Sequence, residues 1–425
     1  MRQDEGKEST SQSESQADEQ DGQQVQQPAK PDPAKASEVK KFSHAEALTN
    51  CRLDPTGKYV FAGAEDFGVY RWDLETGEKV IYRGVHDSWV RRIDFSVDGK
   101  QILTSGWDGR IVVWDVEPES LKTVELPVEK DTDETTANSG EKSDGETKPE
   151  IERVVDSPVR VIEAHRGFSR WVHAGPRGKY IATCGNDKIV KLWDARRWKL
   201  KKEFVGHGRH PYAVMIHPDG ESLVSEDLMG EIFVWNAKTG QRTRELKSVM
   251  TGFDNKFQAD MGGARDMAFN ADGSLLGCAG ITNVVNSFAG QQDPIICIVD
   301  WQSKEITSHL RTKSNAAGIA WGVHFHPEGY VVGAMGNQNG KGTVEFWSLA
   351  DEVEEPAEAK PMSEGCEDGA SDDSADDKTE EKKPRDIKPF HVVEVDKAVR
   401  GLDFTADGRR FVIACSDGSL RIYDM

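Results

Sequence analysis

The chain has 425 residues, 36% of them hydrophobic, and a formal net charge of −20. That length exceeds one ordinary compact core and calls for a repetitive architecture. A polar N-terminus predicts no signal peptide, and apolar runs no longer than those like "IICIV" (295–299) predict no membrane-spanning helix and no membrane partner. Six cysteines without paired spacing predict free thiols in a reducing, cytoplasmic setting.

Residues 1–37 carry eight acidic and four basic side chains, and such composition predicts a disordered polar tail. From residue 38 short apolar runs begin, punctuated by seven Gly-closed turns: "DPTG" (54–57), "SVDG" (96–99), "GPRG" (175–178), "HPDG" (217–220), "NADG" (270–273), "HPEG" (326–329) and "TADG" (405–408). Each joins two apolar stretches, as a β-hairpin does. Nine residues beyond the closing Gly stands a second turn residue: Asp66, Asp108, Asp187, Met229, Thr282, Gln338 and Asp417. Six further on, an aromatic ends another strand in five repeats, at Trp72, Trp114, Trp193, Trp235 and Tyr423; Val299 holds that place in the fifth, and Trp347 comes three residues late in the sixth. Thirteen residues before the Gly, the first four repeats place His44, His86, His165 and His207. Gly57 and Gly99 lie 42 residues apart, as do Gly178 and Gly220; the other intervals are longer, as insertions into a repeat would make them.

Two insertions are acidic. Residues 128–156 hold ten acidic and four basic side chains, and 351–383 hold fourteen and four. With the tail they account for the whole −20, leaving a balanced body. They predict disordered inserts at about 117–157 and 350–387, which either solubilise the protein or attract a basic partner.

The order His, Gly-closed turn, Asp and closing Trp-Asp, with "WDL" (72–74), "WDV" (114–116), "WDA" (193–195) and "GH" (206–207), resembles the WD-40 repeat family over residues 38–425. The resemblance implies an all-β fold: a seven-bladed β-propeller of four-stranded antiparallel blades. It also implies a buried hydrogen-bonded chain in a blade, completed here by His86, Thr104, Asp108 and Trp114 and by His165, Thr183, Asp187 and Trp193. An Asp-His-Thr set has the residue types of nucleophilic catalysis. A catalytic group is needed once, whereas this one recurs, so it reads as scaffold. Because "SLRIYDM" ends on the third strand of the last repeat, "SEVKKFSH" (37–44) is expected to pair beside 419–424 and close the ring. "VRVIE" (159–163) and "FHVVEV" (390–395) are expected to return as fourth strands, which hangs both acidic inserts from the bottom face.

The His-bearing loops and the Asp turns share the opposite, top face. Equivalent positions there hold Trp89, Arg91, Trp107, Phe168, Arg170, Asn186, Tyr212, Arg265, Trp321 and Arg400, and in the family such positions line the channel mouth and touch partners. Trp107 stands beside a turn, where the fold does not need it. Arginine and aromatic side chains dominate binding hot spots, so the expected function is a non-enzymatic scaffold that binds a peptide or protein, acidic or phosphorylated, on the top face. No cofactor or metal is expected: His324 and His326 lack further ligands, and no phosphate loop, Cys pair or nucleophile elbow occurs. An enzyme at the channel mouth would have only Glu65 and His210 to work with. Single-stranded nucleic acid suits Arg interleaved with aromatics, but a neutral body flanked by acidic segments disfavours it.

Overall fold

Runs of β-branched and aromatic residues that are interrupted every few positions by a tight turn are too short for helices and well suited to hairpins. The computed structural model describes residues 30–125, 151–286, 291–313, 317–337, 340–350 and 383–425. Most of the predicted tail and the centres of both acidic inserts lie outside the described residues. Pro31–Met425 form one unit, a seven-bladed β-propeller of four-stranded antiparallel blades.

From the channel outward, blade 1 comprises Leu48–Leu53, Tyr59–Ala64, Val69–Asp73 and Lys79–Tyr82, and blade 2 comprises Val90–Phe95, Gln101–Gly106, Arg110–Asp115 and Arg160–Glu163. Blade 3 is Ser169–Ala174, Tyr180–Gly185, Ile189–Asp194 and Leu200–Val205; blade 4 is Pro211–Ile216, Ser222–Asp227, Glu231–Asn236 and Arg242–Lys247. Blade 5 is Ala264–Phe269, Leu275–Asn286, Gln291–Asp300 and Glu305–Arg311, and blade 6 is Gly318–Phe325, Tyr330–Asn337, Gly342–Ser348 and His391–Val395. Blade 7 takes Val399–Phe404, Arg410–Cys415 and Ser419–Asp424 from the chain's end and Ser37–Ser43 from its beginning. The two fourth strands expected after the inserts are in place. Val299 faces Leu276 as Trp193 faces Ile181, so the degenerate fifth repeat keeps its register.

Second strands are buried on both faces, as in Tyr59–Ala64, whereas the outer strand Arg242–Lys247 is almost wholly exposed. Each blade therefore buries apolar side chains against both neighbours, and a core cluster spans every blade-to-blade interface. That between blades 7 and 1 joins Val412, Ala414 and Ile422 to Leu48, Val60 and Trp72. Two of the turn histidines reinforce these interfaces. His217 Nε2 lies 2.9 Å from the Gly273 carbonyl oxygen of blade 5, and His326 Nε2 lies 2.9 Å from that of Gly408 in blade 7. In each, Nδ1 accepts a backbone N–H two residues on, from Asp219 and Glu328.

The structure differs from the sequence reading at the edges of the supposed tail and inserts. The folded unit begins at Pro31, where buried Pro33 opens a 3-10 turn capped by the Asp32 carboxylate. Both flanks of the first insert and the C-terminal flank of the second are strands. Lys122–Glu125 and Ile151–Val155 pair with each other, and Ile151–Val155 lies parallel to Lys79–Tyr82, so an insert that leaves blade 2 lengthens the sheet of blade 1. Likewise Arg385–Ile387, arriving at blade 6, lies parallel to Glu305–Arg311 of blade 5. Val154, buried with side chains of blades 7 and 1, and Val155, buried with those of blades 1 and 2, explain why this stretch forms a strand. Ile151 and Arg385 both enter at the bottom end of the strand they join, because Arg153 is level with Val80 and Arg385 with Ser308.

Candidate functional site

The top loops are positioned by the hydrogen-bonded chains beneath them. In blade 2, Trp114 Nε1 donates to Thr104 Oγ1 (3.4 Å), His86 Nε2 lies 2.8 Å from the same hydroxyl, and His86 Nδ1 lies 2.9 Å from Asp108. Indole can only donate and carboxylate only accept, so every proton in the chain points one way, from Trp towards Asp. In blade 3 the corresponding distances through Trp193, Thr183, His165 and Asp187 are 2.9, 2.8 and 2.9 Å. Burial pushes the His165 imidazole down, towards its neutral form. Burial alone would raise the Asp187 carboxyl, but the hydrogen bond and charge of His165, the Lys191 ammonium and the Ile189 N–H together outweigh it and hold the group at about 2.

Blade 4 contains a third such chain that the sequence reading missed: Trp235 Nε1 donates to Ser225 Oγ (2.9 Å), which lies 2.7 Å from His207, itself 3.2 Å from Asp227. Its aspartate stands two positions before the expected turn site at Met229. The signal was present in "GH" (206–207) followed by "SED" (225–227) and Trp235. His207, Asp227 and Glu231 also approach one another within 4.8 Å as a set of metal-ligand types. His207 and Asp227 are taken up by the chain, and Asp227 accepts the N–H groups of Met229 and Glu231.

On this support the top-face side chains of blades 2 to 6 converge. Trp107 stacks on Phe168, with centroids 4.7 Å apart and planes 9° apart, and Trp89 leans on Trp107 at 5.0 Å. The Arg170 guanidinium lies 4.7 Å from the Phe168 ring, 4.8 Å from Tyr212 and 5.2 Å from Trp107; Arg91 lies 4.9 Å from Trp321 and 5.9 Å from Trp107. Arg265 lies 4.5 Å from Tyr212. The rings are thus already covered by the protein's own cations. Asn186 orients Arg170 by accepting from its Nε at 2.8 Å, and the carbonyls of Met261 and Gly262 hold Arg265 at 2.7 Å each. Two expected members are less available to a partner: Arg400 is paired with Glu65 at 2.6 Å, and Tyr212 is only 8% exposed, buried beneath the arginines. The hairpin of Phe253–Asp254 with Ala259–Asp260 and the long second and third strands of blade 5 wall this side of the mouth.

Three guanidiniums, Arg91, Arg170 and Arg265, therefore surround one phenol. Burial opposes ionisation of Tyr212, but the three cations outweigh it and bring the phenol down to about 8. Burial lowers Arg170 and Arg265 as well, reinforced by their like-charged neighbours. The buried Arg91 Nε and Trp107 Nε1 have no hydrogen-bond partner among the described residues. An absorbance titration is expected to show one phenol ionising near pH 8, with Arg91→Gln moving its midpoint up. A midpoint unmoved by that substitution would remove the guanidinium as the cause.

Below this belt the channel is crossed by an ion pair from Arg92 to Asp266 (2.5 Å), Arg92 also stacking on Trp171 at 3.8 Å. The cavity above it is about 30 Å³, room for a water or two. A cavity of about 920 Å³ opens at the bottom end between Arg52, Asp94, Phe404 and the hairpin turns. Its charges are committed: Asp94 binds His173 (3.0 Å) and Arg52 (3.5 Å), and Asp403 accepts from the Leu53 N–H (2.8 Å). Glu65 and His210, considered for a channel-mouth enzyme, are not brought together: Glu65 pairs with Arg400 in blade 7, and His210 belongs to the loop before blade 4. His324 and His326 do not share a ligand either, since His324 stacks on Phe404 and both His326 nitrogens are engaged.

A ring of seven four-stranded blades, tied inside by His–Asp–Ser/Thr–Trp chains and open at one face, defines a repeat propeller. The chain carries WD40 repeats: the family model described as "WD domain, G-beta repeat" matches residues 36–73, 79–115, 156–194 and 388–424. It is similar to the nuclear distribution protein nudF of Aspergillus niger, 28% identical over 45% of this chain and 39% of that protein. It is also similar to periodic tryptophan protein 2 of Arabidopsis thaliana (24% identical, 56% of this chain, 28% of that one) and to protein HIR1 of Kluyveromyces lactis (24%, 39% and 19%). Each match spans less than half the relative's length. Among the described residues no helix is long and apolar enough to cross a membrane, and the five described cysteines are free buried thiols.

Proposed function

We propose that this propeller is a non-enzymatic scaffold, working in the cytoplasm, that binds an acidic or phosphorylated peptide segment of a protein partner on its top face. The observation that carries the reading is the set of three guanidiniums packed around Tyr212. Like charges held in a half-buried site repel one another, and no carboxylate among the described residues is paired with any of them. An incoming carboxylate or phosphate relieves that repulsion and gives the unpartnered Arg91 Nε and Trp107 Nε1 an acceptor. The aromatic faces are occupied by Arg91 and Arg170, which turns the site away from cationic ligands and towards anions. The blocked channel favours a ligand lying across the surface over one entering a pocket, and so favours binding over chemistry at the mouth.

The test is affinity capture from native lysate with the wild type and with a Trp89, Arg91, Trp107, Arg170→Ala variant shown to remain folded. The captured partner is expected to be lost, or weakened at least about tenfold, the effect of one or two hot-spot residues. An unchanged set of partners would overturn the assignment of the top face.

A further inference from the structure

The balanced charge of the body hides a segregation. Two bottom-side stretches, 195–202 ("ARRWKLKK") and 237–244 ("AKTGQRTR"), hold eight basic side chains and no acidic one. They are the loops between third and outer strands, with the first residues of the outer strands, in the adjacent blades 3 and 4. They touch, because Lys202 Nζ donates to the Thr239 carbonyl. Arg196, Arg197, Lys199, Lys238 and Arg244 are exposed and form no ion pair among the described residues. The flanking acids are committed: Asp194 to Lys201 (3.5 Å), Glu203 to Lys191 (3.7 Å) and Glu245 to Arg242 (3.2 Å). An exposed basic surface on two neighbouring blades of a body whose charge balances only overall is an electrostatic docking surface for a polyanion.

We propose that its occupant is the chain's own acidic segment, residues 351–382, held there by carboxylate–cation contacts. Three observations select it. The segment carries fourteen acidic and three basic side chains. Its ends are fixed on the correct face: it departs after the third strand of blade 6 and returns through Arg385–Ile387, which enters at the bottom end of the outer edge of blade 5, next to blade 4. Its 32 residues can span about 110 Å when extended, ample for an excursion over two blades whose sheets pack roughly 10 Å apart near the core. The other acidic insert is less charged and re-enters at blade 1, two blades from blade 3. This surface shares no residue with the top face, so the two assignments stand or fall separately.

Zero-length carbodiimide cross-linking of the full chain, with peptide mapping, reads the contact directly. Cross-links are expected from carboxylates of 351–382 to Lys199, Lys202 and Lys238, and are expected to vanish at about 1 M salt, where screening acts within a few ångströms. Cross-links spread over lysines elsewhere, or none, would overturn the proposal. Mixing isotope-labelled and unlabelled chains separates occupancy within one molecule from occupancy by a second copy, and mixed cross-links would overturn it as well. In a variant whose fourteen acids are changed to Asn and Gln, a fluorescent polyglutamate peptide is expected to bind at least tenfold more tightly than to wild type. Lys199, Lys202, Lys238→Glu added to that variant should abolish the gain. Equal affinity for both forms sinks the idea. A single-stranded oligonucleotide that binds the neutralised variant ten times more tightly than a polyglutamate of equal charge would reassign the surface to nucleic acid.

Discussion

Deleting Ser37–Ser43 is expected to lower the melting temperature by about 10 °C or more, whereas deleting residues 1–30 should leave it unchanged within about 2 °C. The strand supplies the outer edge of blade 7 in a register that runs from Ser37↔Asp424 to Ser43↔Ser419. Its loss strips the Ser419–Asp424 edge of a ladder worth about 3–5 kcal/mol at roughly 1 kcal/mol per net hydrogen bond. Further contacts go with it: Phe42 stacks on Trp72 of blade 1 at 6.0 Å, Lys40 Nζ donates to the Leu74 carbonyl at 2.7 Å, and Glu38 sits 3.6 Å from Arg421. The strand thus joins the last blade both to itself and to the first, and the exposed edge left behind would also promote aggregation. Equal melting temperatures for the two truncations would show that the ring closes without this strand.

Glu226→Gln is expected to remove a pH dependence of about 4 kcal/mol. Glu226 is fully buried in blade 4, with one oxygen accepting from Ser248 Oγ at 2.9 Å and the other without a partner. Burial raises its carboxyl to about 8 from an ordinary 4.5, against the opposing Ser248 hydrogen bond. The folded state therefore binds a proton that the unfolded chain has already released. Stability from this group is full below pH 4.5 and is lost as the pH climbs through 8, to the extent of about 4 kcal/mol at pH 8. Glutamine keeps the Ser248 bond and does not titrate. Urea unfolding at pH 5 and pH 8 should show the wild type losing that much more than the variant, other groups cancelling in the difference. Parallel pH profiles would mean that water reaches the carboxyl.

The repeat was legible because each blade must bury the same places. A Gly in the left-handed region at each hairpin, with φ near +70° at Gly57, Gly99 and Gly408, is dictated by the turn itself, and the strand-ending aromatic by the cavity it fills. Trp114 and Trp193 were therefore found by spacing, and their hydroxyl partners Thr104 and Thr183 through the family resemblance that the spacing supports. Blade 4's aspartate was not, because a hydrogen-bonded chain needs its oxygen in one place in space and tolerates a two-residue shift in sequence. The insert flanks were missed for a different reason. Ile151–Val155 pairs with a strand some seventy residues earlier, and only its place on the edge of blade 1, between blades 7 and 2, makes Val154 and Val155 worth burying. On the top face, residue type and position announced Trp107, Arg91 and Arg170. The sequence did not reveal that Glu65 neutralises Arg400, because the partners come from the first and last blades and meet only when the ring closes.

The two parallel clips beside the acidic inserts have a practical consequence. Each insert is fastened at its C-terminal flank by hydrogen bonds to a blade that belongs to another part of the chain, so continuity of the polypeptide between 126 and 150 is not what keeps blade 2 whole. A protease that cuts there leaves two polypeptides interlocked through Lys122–Glu125, Ile151–Val155 and Lys79–Tyr82. They should migrate as one particle until denatured, and expressed separately they offer a route to a two-piece propeller whose reassembly reports when the halves meet.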